Sequence, residues 1–205
     1  MTDPDRTEPH RTDPHRTANV LGALAGTVTD QATAAMLAAA GLPAKGSSSA
    51  PAALSAIAEF LGTPTVEQIR QVLGLTPSGA VRLIDRLAAD GLVTRAPGTD
   101  GRSRAISLTD RGTAAAAALA QARRDVLATM LDGFSADELD TLHGLLGRMM
   151  RNAVNAKSGG AWICRMCDLT ACGRGRGDCP AAAAAMDRYA VSATDAGIDE
   201  SGNRR

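Results

Sequence analysis

Aromatic residues are almost absent from this chain of 205 residues, which has two phenylalanines, one tryptophan and one tyrosine. Its core must therefore come from leucine, isoleucine, valine and alanine, and such side chains favour closely packed helices. This composition predicts a mostly α-helical protein. A net charge is lacking as well, since 22 basic residues balance 22 acidic ones. No overall field attracts nucleic acid, so DNA binding would need a local basic patch.

Long apolar runs are missing too. The N-terminus MTDPDRTEPHRTDPHRT lacks the apolar core of a secretory signal, and no window approaches the roughly 18 apolar residues of a membrane span. We therefore expect a cytoplasmic protein without a membrane partner. The sequence also shows no Ser/His/Asp set, no phosphate-binding loop and no paired acid–base carboxylates, which argues against an enzyme. The length allows one compact domain with additional segments.

Cysteine is absent from the first 163 residues and then occurs four times in a run that reads C-x2-C-x4-C-x6-C-P. These cysteines are Cys164, Cys167, Cys172 and Cys179. In a reducing compartment such a run indicates a metal or redox site rather than structural disulfides. Four thiolates satisfy a tetrahedral zinc site, which is the cofactor that we expect, and they supply an iron–sulfur cluster equally well. A metal-free thiol–disulfide switch is the third interpretation, because neighbouring arginines favour thiolates.

A polar tail and two helices are predicted in the first third of the chain. Residues 1–18 repeat a pentapeptide (TDPDR, TEPHR, TDPHR) rich in proline and charge, which predicts a disordered tail. The apolar spacing that follows predicts one helix over residues 19–40, capped by Asn19, and a second over about 51–61. A Gly/Ser loop separates the two helices.

Two short helices joined by a glycine are predicted next. Thr65 and Gln68 have the spacing of a capping box before a helix that stops at Gly74. Thr76 then caps a second helix with Pro77 in its first position, where a missing N–H costs nothing. This arrangement is typical of a helix-turn-helix.

The second helix of the pair has an apolar face and a polar one. The apolar face predicts burial of Ala80, Leu83, Ile84, Leu87 and Ala88. The residues of the outer face are small near the start of the helix and cationic further along. The backbone of the helix can therefore approach a DNA groove while the arginines reach phosphates or guanine edges. This outer face carries Ser78, Gly79, Arg82 and Arg86. An ordinary amphipathic surface helix with solvated arginines is the alternative.

A β-hairpin is predicted after this helix, with strands around residues 93–95 and 105–108 joined by the turn-rich APGTDGRSR. Its tip carries Arg102 and Arg104, and an arginine on a protruding hairpin suits the narrow minor groove of DNA. The tip also carries Asp100.

Two longer helices are predicted beyond the hairpin. Thr109 caps one over residues 110–131, and Ser135 with Glu138 forms a capping box for another that ends near residue 156. The second helix carries an apolar stripe, which indicates a core or a dimer interface. The stripe consists of Leu139, Leu142, Leu145, Leu146 and Met149.

The residues from the helix pair to the hairpin resemble the MarR family of winged-helix transcriptional regulators. The resemblance runs from LTPSGAVRLIDRLAADGLVTR to TDGRSRAISLTDRG, where Asp100 and Arg102 match the family's D-x-R wing and Leu108, Thr109 and Gly112 its L-T-x-x-G. It implies an obligate homodimer with interlocked N- and C-terminal helices, in which a ligand or a cysteine oxidation changes the spacing of the DNA-reading lobes. The DNA-binding residues that we expect are Thr76, Ser78, Gly79, Arg82, Arg86, Arg102 and Arg104.

The expected fold class is therefore mostly α with a small β-hairpin wing, a winged helix-turn-helix flanked by N- and C-terminal dimerisation helices. Residues 19–156 form this domain, with the DNA-reading lobe at about 51–112. A cysteine module follows at 157–190, and a disordered tail at 191–205.

The expected function is a DNA-binding transcriptional regulator, a homodimer on a palindromic double-stranded operator, which responds to metal, redox state or a small-molecule effector. Two alternatives stay open at this point. One is a thiol-redox protein that uses the C-x2-C pair, and the other is a regulator with a purely structural zinc module.

Overall fold

A computed structural model describes residues 13–43, 49–97 and 104–195 of the chain. Helices dominate these residues, and the two strands that they contain form one antiparallel hairpin, as the composition predicted. In chain order the elements are α1 (Pro14–Ala39), α2 (Ala50–Ala56), α3 (Val66–Leu73), α4 (Pro77–Ala89), β1 (Val93–Pro97), β2 (Arg104–Leu108), α5 (Asp110–Thr129), α6 (Ala136–Ala156) and α7 (Pro180–Asp195).

Helix α1 begins earlier than expected. The start at Asn19 was wrong, because the Asp13 carboxylate accepts a hydrogen bond from the backbone N–H of His15 and Pro14 lies in the first turn. An aspartate cap followed by proline is a strong signal for the start of a helix. The repeat of polar residues around it had instead indicated a disordered tail. The rest of the expected tail, residues 1–12, lies outside the described residues. Helix α1 packs along α5 and buries Ala32 and Met36.

Helix α2 ends in an unusual turn. Its backbone widens into a single π-helical turn over Ile57–Leu61, which closes at Gly62. The predicted second helix is therefore confirmed in extent, but its last turn is wider than a regular helix. This wider turn contains Glu59 and Phe60, two residues that contact the cysteine segment described below.

The helix pair of the DNA-reading lobe forms as the sequence predicted. Thr65 and Gln68 make a reciprocal capping box at the start of α3, and Gly74 ends that helix with a left-handed φ of 62°. The Thr76 side chain accepts a hydrogen bond from the N–H of Gly79 at 3.1 Å, which caps α4. Residues Ala80, Leu83, Ile84 and Leu87 on the inner face of α4 are buried.

The hairpin is tied to the start of α3. Strands β1 and β2 pair with Val93 opposite Leu108, and the Ile106 N–H donates to the Pro64 carbonyl at 2.8 Å. This bond fixes the base of the hairpin beside the helix pair. The tip, residues 98–103, lies outside the described residues, and the expectations for Asp100 and Arg102 lie outside them as well.

Gly112 explains the spacing of the L-T-x-x-G sequence. A Cβ atom added at this buried glycine would lie 1.8 Å from the Leu92 carbonyl oxygen. Thr109, which caps α5, also donates its N–H to this oxygen at 3.1 Å and its hydroxyl to the Gly91 carbonyl at 2.7 Å. The start of α5 therefore packs directly on the turn between α4 and β1, where only a glycine fits.

Helix α6 has its predicted capping box at Ser135. Other parts of the same chain bury few of its side chains. Of its 21 residues only Val154 is buried, and the side chains of Leu145 and Leu146 are 48% and 50% exposed. The apolar stripe is therefore not part of this chain's core. Helix α7 packs on α6 and continues to Asp195, so the expected tail from residue 191 begins too early. Residues 196–205 lie outside the described part.

No helix within the described ranges combines the length and the apolarity that crossing a membrane requires.

Candidate functional site

The outer face of α4 is the candidate nucleic-acid interface. Ser78, Arg82 and Arg86 are exposed there, on the side opposite the buried residues of the same helix. In the described part of the chain, neither Arg82 nor Arg86 takes part in an ion pair, so both guanidinium groups remain available to an anionic partner. The predicted division of this helix into an inner apolar face and an outer cationic face is confirmed.

An ion pair joins this face to the hairpin. Arg95 on β1 contacts the Asp85 carboxylate on α4 at 2.6 Å. The pair neutralises the aspartate that shares the outer face of α4 with Arg82, and it holds β1 against the helix. No local signal in the sequence predicts this pair, because the partners are ten residues apart on different elements.

Gly79 has a structural reason for its small size. A Cβ atom at this position would lie 2.9 Å from the Thr76 hydroxyl oxygen, which caps the helix. Gly79 therefore lets the cap and the start of α4 approach closely, and Thr76 has a capping role in the structure in addition to its expected DNA contact. Both residues stay predicted DNA contacts.

Two further residues complete the surface. Arg104 is exposed at the tip end of the described hairpin, where it pairs with Pro97 across the two strands. Val81 is 46% exposed on the outer side of α4 and was absent from the expected contact set. An exposed valine between a serine and an arginine on one helix face is the sequence signal that identifies it.

The cysteine segment, residues 161–179, begins with a tight turn. Ile163–Met166 forms one 3₁₀ turn, and the Cys167 N–H donates to the Cys164 carbonyl at 3.0 Å. Cys172 is half-buried, and its thiol lies 3.8 Å from the Leu169 carbonyl oxygen. Cys179 is buried in a separate small apolar cluster with Val154, Ala181 and Ala184, against which Ile163 packs.

Cys164 and Cys167 hydrogen-bond to each other through their side chains. This bond, together with the nearby charge of Arg174, lowers the pKa of Cys164 to about 6, although partial burial opposes the shift. The same bond raises the pKa of Cys167, and burial acts in the same direction. Cys164 is therefore the thiol of the pair that ionises first, with Cys167 as its hydrogen-bond donor.

Within residues 13–43, 49–97 and 104–195, no three or more histidine, cysteine, aspartate or glutamate side chains gather in an arrangement that would hold a metal ion. The four-cysteine metal site stays a prediction. The thiol-redox alternative finds no support, because oxidoreductase C-x2-C motifs lie at a strand-to-helix junction and Cys164 lies in an isolated 3₁₀ turn.

Known proteins share this architecture. Residues 41–103 match the model of the MarR family. Similar solved structures include RV1404 from Mycobacterium tuberculosis, with 19% identity and a TM-score of 0.58 over 74% of this chain and 99% of that one. A MarR family protein from Bacillus stearothermophilus has 23% identity and a TM-score of 0.55 over 69% and 99% of the two chains. MepR from Staphylococcus aureus, described as a transcription regulator of the multidrug efflux pump MepA, has 15% identity and a TM-score of 0.57 over 66% and 97%.

The capped helix pair and the hairpin packed beside it define a winged helix-turn-helix protein. At these identities the solved structures establish the shared fold. The match to the MarR family model covers the helix pair and the first strand of the hairpin within residues 41–103.

Proposed function

We propose that this protein is a homodimeric transcription regulator that binds a palindromic DNA operator. The observation that carries the proposal is the outer face of α4, where Arg82 and Arg86 are exposed without ion pairs in the described chain and Thr76 caps the helix start. A helix with small residues at its N-terminus and arginines further along enters the major groove and reads base edges.

Each residue of this face has a role in the proposal. Ser78 and Arg82 read base edges in the major groove, and Val81 packs on a thymine methyl group. Arg86 and the backbone at Thr76 contact phosphates, which position the helix without reading sequence.

The hairpin supplies the remaining contacts. Arg104 near its tip binds the DNA backbone, and Arg102, which lies outside the described residues, enters the minor groove. The Arg95–Asp85 ion pair keeps the hairpin in register with α4, because it joins the two elements directly.

A second copy of the chain covers the exposed apolar residues of the terminal helices. Helix α1 exposes Val20, Leu21 and Leu24, at 60%, 42% and 51%, and α6 exposes Leu145 and Leu146. Exposed apolar residues in such a series mark an interface rather than a solvated surface. Both helices lie at the ends of the winged-helix domain, where interlocking would set the distance between two DNA-reading lobes.

A binding titration tests the proposal. The purified protein is titrated onto labelled fragments from upstream of its own gene and onto random DNA of equal length, at several salt concentrations. Preferential binding with a steep salt dependence is expected. Equal affinity for all fragments at moderate salt would refute the proposal, and a monomer in sedimentation experiments would refute the dimer.

Substitutions separate the roles of the two arginines. Arg82→Ala should cost about 1–3 kcal/mol in operator binding and relax sequence preference, because a base contact is lost. Arg86→Ala should weaken binding to all sequences alike and reduce the salt slope by about 1. Arg151→Ala, which removes an exposed arginine from α6, is the control and should leave both quantities unchanged.

A further inference from the structure

The cysteine segment is docked on the turn of the helix-turn-helix. The Trp162 N–H donates to the Val72 carbonyl at 2.8 Å, which satisfies one of the carbonyl groups left unpaired at the C-terminus of α3. A Cβ atom added at Gly74 would lie 2.3 Å from the Ala161 nitrogen and 2.7 Å from the Gly160 carbonyl carbon. The backbone that leads into the segment therefore covers the turn between the two DNA-reading helices.

Side chains keep the segment in this place. The Trp162 ring stacks on Phe60 with centroids 6.3 Å apart and planes 7° apart. The Leu169 N–H donates to the Glu59 carboxylate at 3.3 Å. Because both contacts are made to the wide turn that follows α2, they fix the position of the segment beside the helix pair.

Two cationic side chains converge on the backbone that covers the turn. The Lys157 ammonium donates to the carbonyl oxygens of Gly159 and Gly160, to the second of these at 3.3 Å. The Arg165 guanidinium donates to the Trp162 carbonyl at 3.0 Å. Both side chains are partly exposed. Two positive charges therefore lie beside the turn between α3 and α4.

No carboxylate within the described residues forms an ion pair with either of these cations, which bond to carbonyl oxygens instead. Acidic side chains on the surrounding elements have other partners. Glu67 of α3 pairs with Arg70 at 2.6 Å, and Asp168 of the segment pairs with Arg124 of α5 at 3.3 Å. Uncompensated positive charges at a protein surface attract an anionic partner.

The other two cations between residues 157 and 178 have a negative group close by. Arg176 pairs with Asp178 at 3.1 Å. The hydrogen bond from Cys167 and the charge of Arg174 lower the pKa of Cys164 to about 6, so a thiolate lies near Arg174 at neutral pH. The two cations beside the turn are therefore the ones in this stretch that lack a balancing charge.

The hairpin and the cysteine segment lie at opposite ends of α3. The hairpin is joined to its start, where the Ile106 N–H donates to the Pro64 carbonyl, and the segment lies on its end at Gly74. Helix α3 has eight residues, a length of about 12 Å. DNA that contacts α4 continues on both sides of this helix, so the hairpin and the segment lie beside different parts of the duplex backbone.

We propose that Lys157 and Arg165 bind phosphates of the operator on the side of α4 opposite the hairpin, which makes the cysteine segment a third DNA-contacting element. The inference rests on the proposed function, because it extends the interface centred on α4. An ammonium and a guanidinium both bind phosphate oxygens. Such contacts position a protein on the duplex and read no bases.

The salt dependence of operator binding measures the number of phosphate contacts. The purified full chain is titrated onto the operator between about 50 and 200 mM salt. Lys157→Ala and Arg165→Ala should each weaken binding to all sequences alike and reduce the salt slope by about 1 for each subunit bound. Arg176→Ala removes an exposed arginine of the same segment that is already paired with Asp178. It is the matched control and should leave the slope unchanged.

Charge-preserving variants separate the charge from the docking of the segment. Lys157→Arg and Arg165→Lys should retain the slope. Trp162 is the only tryptophan, so unchanged emission shows that the segment is still docked. If Arg165→Ala shifts the emission, Lys157→Ala decides, because the Lys157 ammonium bonds within its own linker. Unchanged slopes in both alanine variants, or an equal loss in the charge-preserving variants, would overturn the inference.

Ethylation interference locates the contacts on the DNA. Ethylated phosphates outside the bases read by α4 should weaken binding of the unaltered protein but not of a variant that combines Lys157→Ala with Arg165→Ala. Equal interference in both proteins, with the operator still preferred over random DNA, would refute this inference alone. Failure of the unaltered protein to prefer any operator would refute the proposed function and this inference together.

Discussion

The DNA-reading lobe and the cysteine segment are built in different ways, although they touch at Gly74. The lobe has capped helices and a continuous aliphatic core that includes Leu54, Ile69 and Leu83, each almost fully buried. The segment has short 3₁₀ turns and one small cluster around Cys179. The lobe thus holds its own shape, whereas the segment depends on a few anchors to neighbouring elements, such as the Trp162–Val72 and Leu169–Glu59 hydrogen bonds.

The largest effect on the free energy of unfolding is expected from a substitution within the DNA-reading lobe. Gly112→Ala forces a methyl group into the Leu92 carbonyl oxygen and should lower the free energy of unfolding by about 3 kcal/mol. Urea denaturation followed by circular dichroism measures it. Gly144→Ala in α6, where a Cβ meets nothing within 4 Å, should instead stabilise by about 0.5–1 kcal/mol. Equal effects of the two substitutions would contradict the tight packing at the start of α5.

The contact between the two regions can be isolated with a matched pair of glycines. Gly74 and Gly41 have the same left-handed φ of 62°, but only Gly74 has a neighbour, the Ala161 backbone. Gly41→Ala should cost about 1–2 kcal/mol for backbone conformation alone. Gly74→Ala should cost more and should also shift the Trp162 emission to longer wavelength, because the segment is displaced. Identical costs with unchanged emission would show that the segment does not dock there.

The smallest effect concerns a helix cap outside both regions. The backbone N–H and the hydroxyl of Ser135 hydrogen-bond to the Glu138 carboxylate and hold its pKa below the ordinary value of 4.5. The hydrogen bonds to the Glu138 carboxylate therefore stabilise the fold at pH values above the pKa that Glu138 has in the unfolded chain. This stabilisation is lost as the pH falls through the lower pKa that Glu138 has in the folded chain. In Glu138→Gln the free energy of unfolding should therefore fall less steeply between about pH 5 and 3. Asp140→Asn on the same helix is the control. A steeper fall in Glu138→Gln would reverse the expected sign.

Local signals made the lobe predictable. The Thr65–Gln68 box, the Thr76 cap and the spacing of Ala80, Leu83 and Ile84 act within one or two helical turns, so a sequence shows them directly. The start of α1 was missed although its signal, Asp13 before Pro14, is equally local, because the surrounding repeat favoured a tail. Helix α7 was not predicted, although a run of alanines has high helix propensity.

The docking of the cysteine segment had no local signal. The Trp162–Val72 and Leu169–Glu59 hydrogen bonds join residues about 90 and 110 positions apart. The Arg95–Asp85 pair likewise depends on how β1 lies against α4. Such contacts arise only when packed elements bring distant residues together, and no spacing rule encodes them.

The sequence by itself determined the helix pair, its outward arginines, the hairpin and the grouping of the cysteines, because caps, turns and apolar periodicity act over a few residues. Only the tertiary structure decided that Trp162 packs on Phe60, that Gly112 must be a glycine, and that Cys179 is buried beside α6. These features depend on the burial of aliphatic surface between elements far apart in the chain, and that burial is defined only once the whole core has formed.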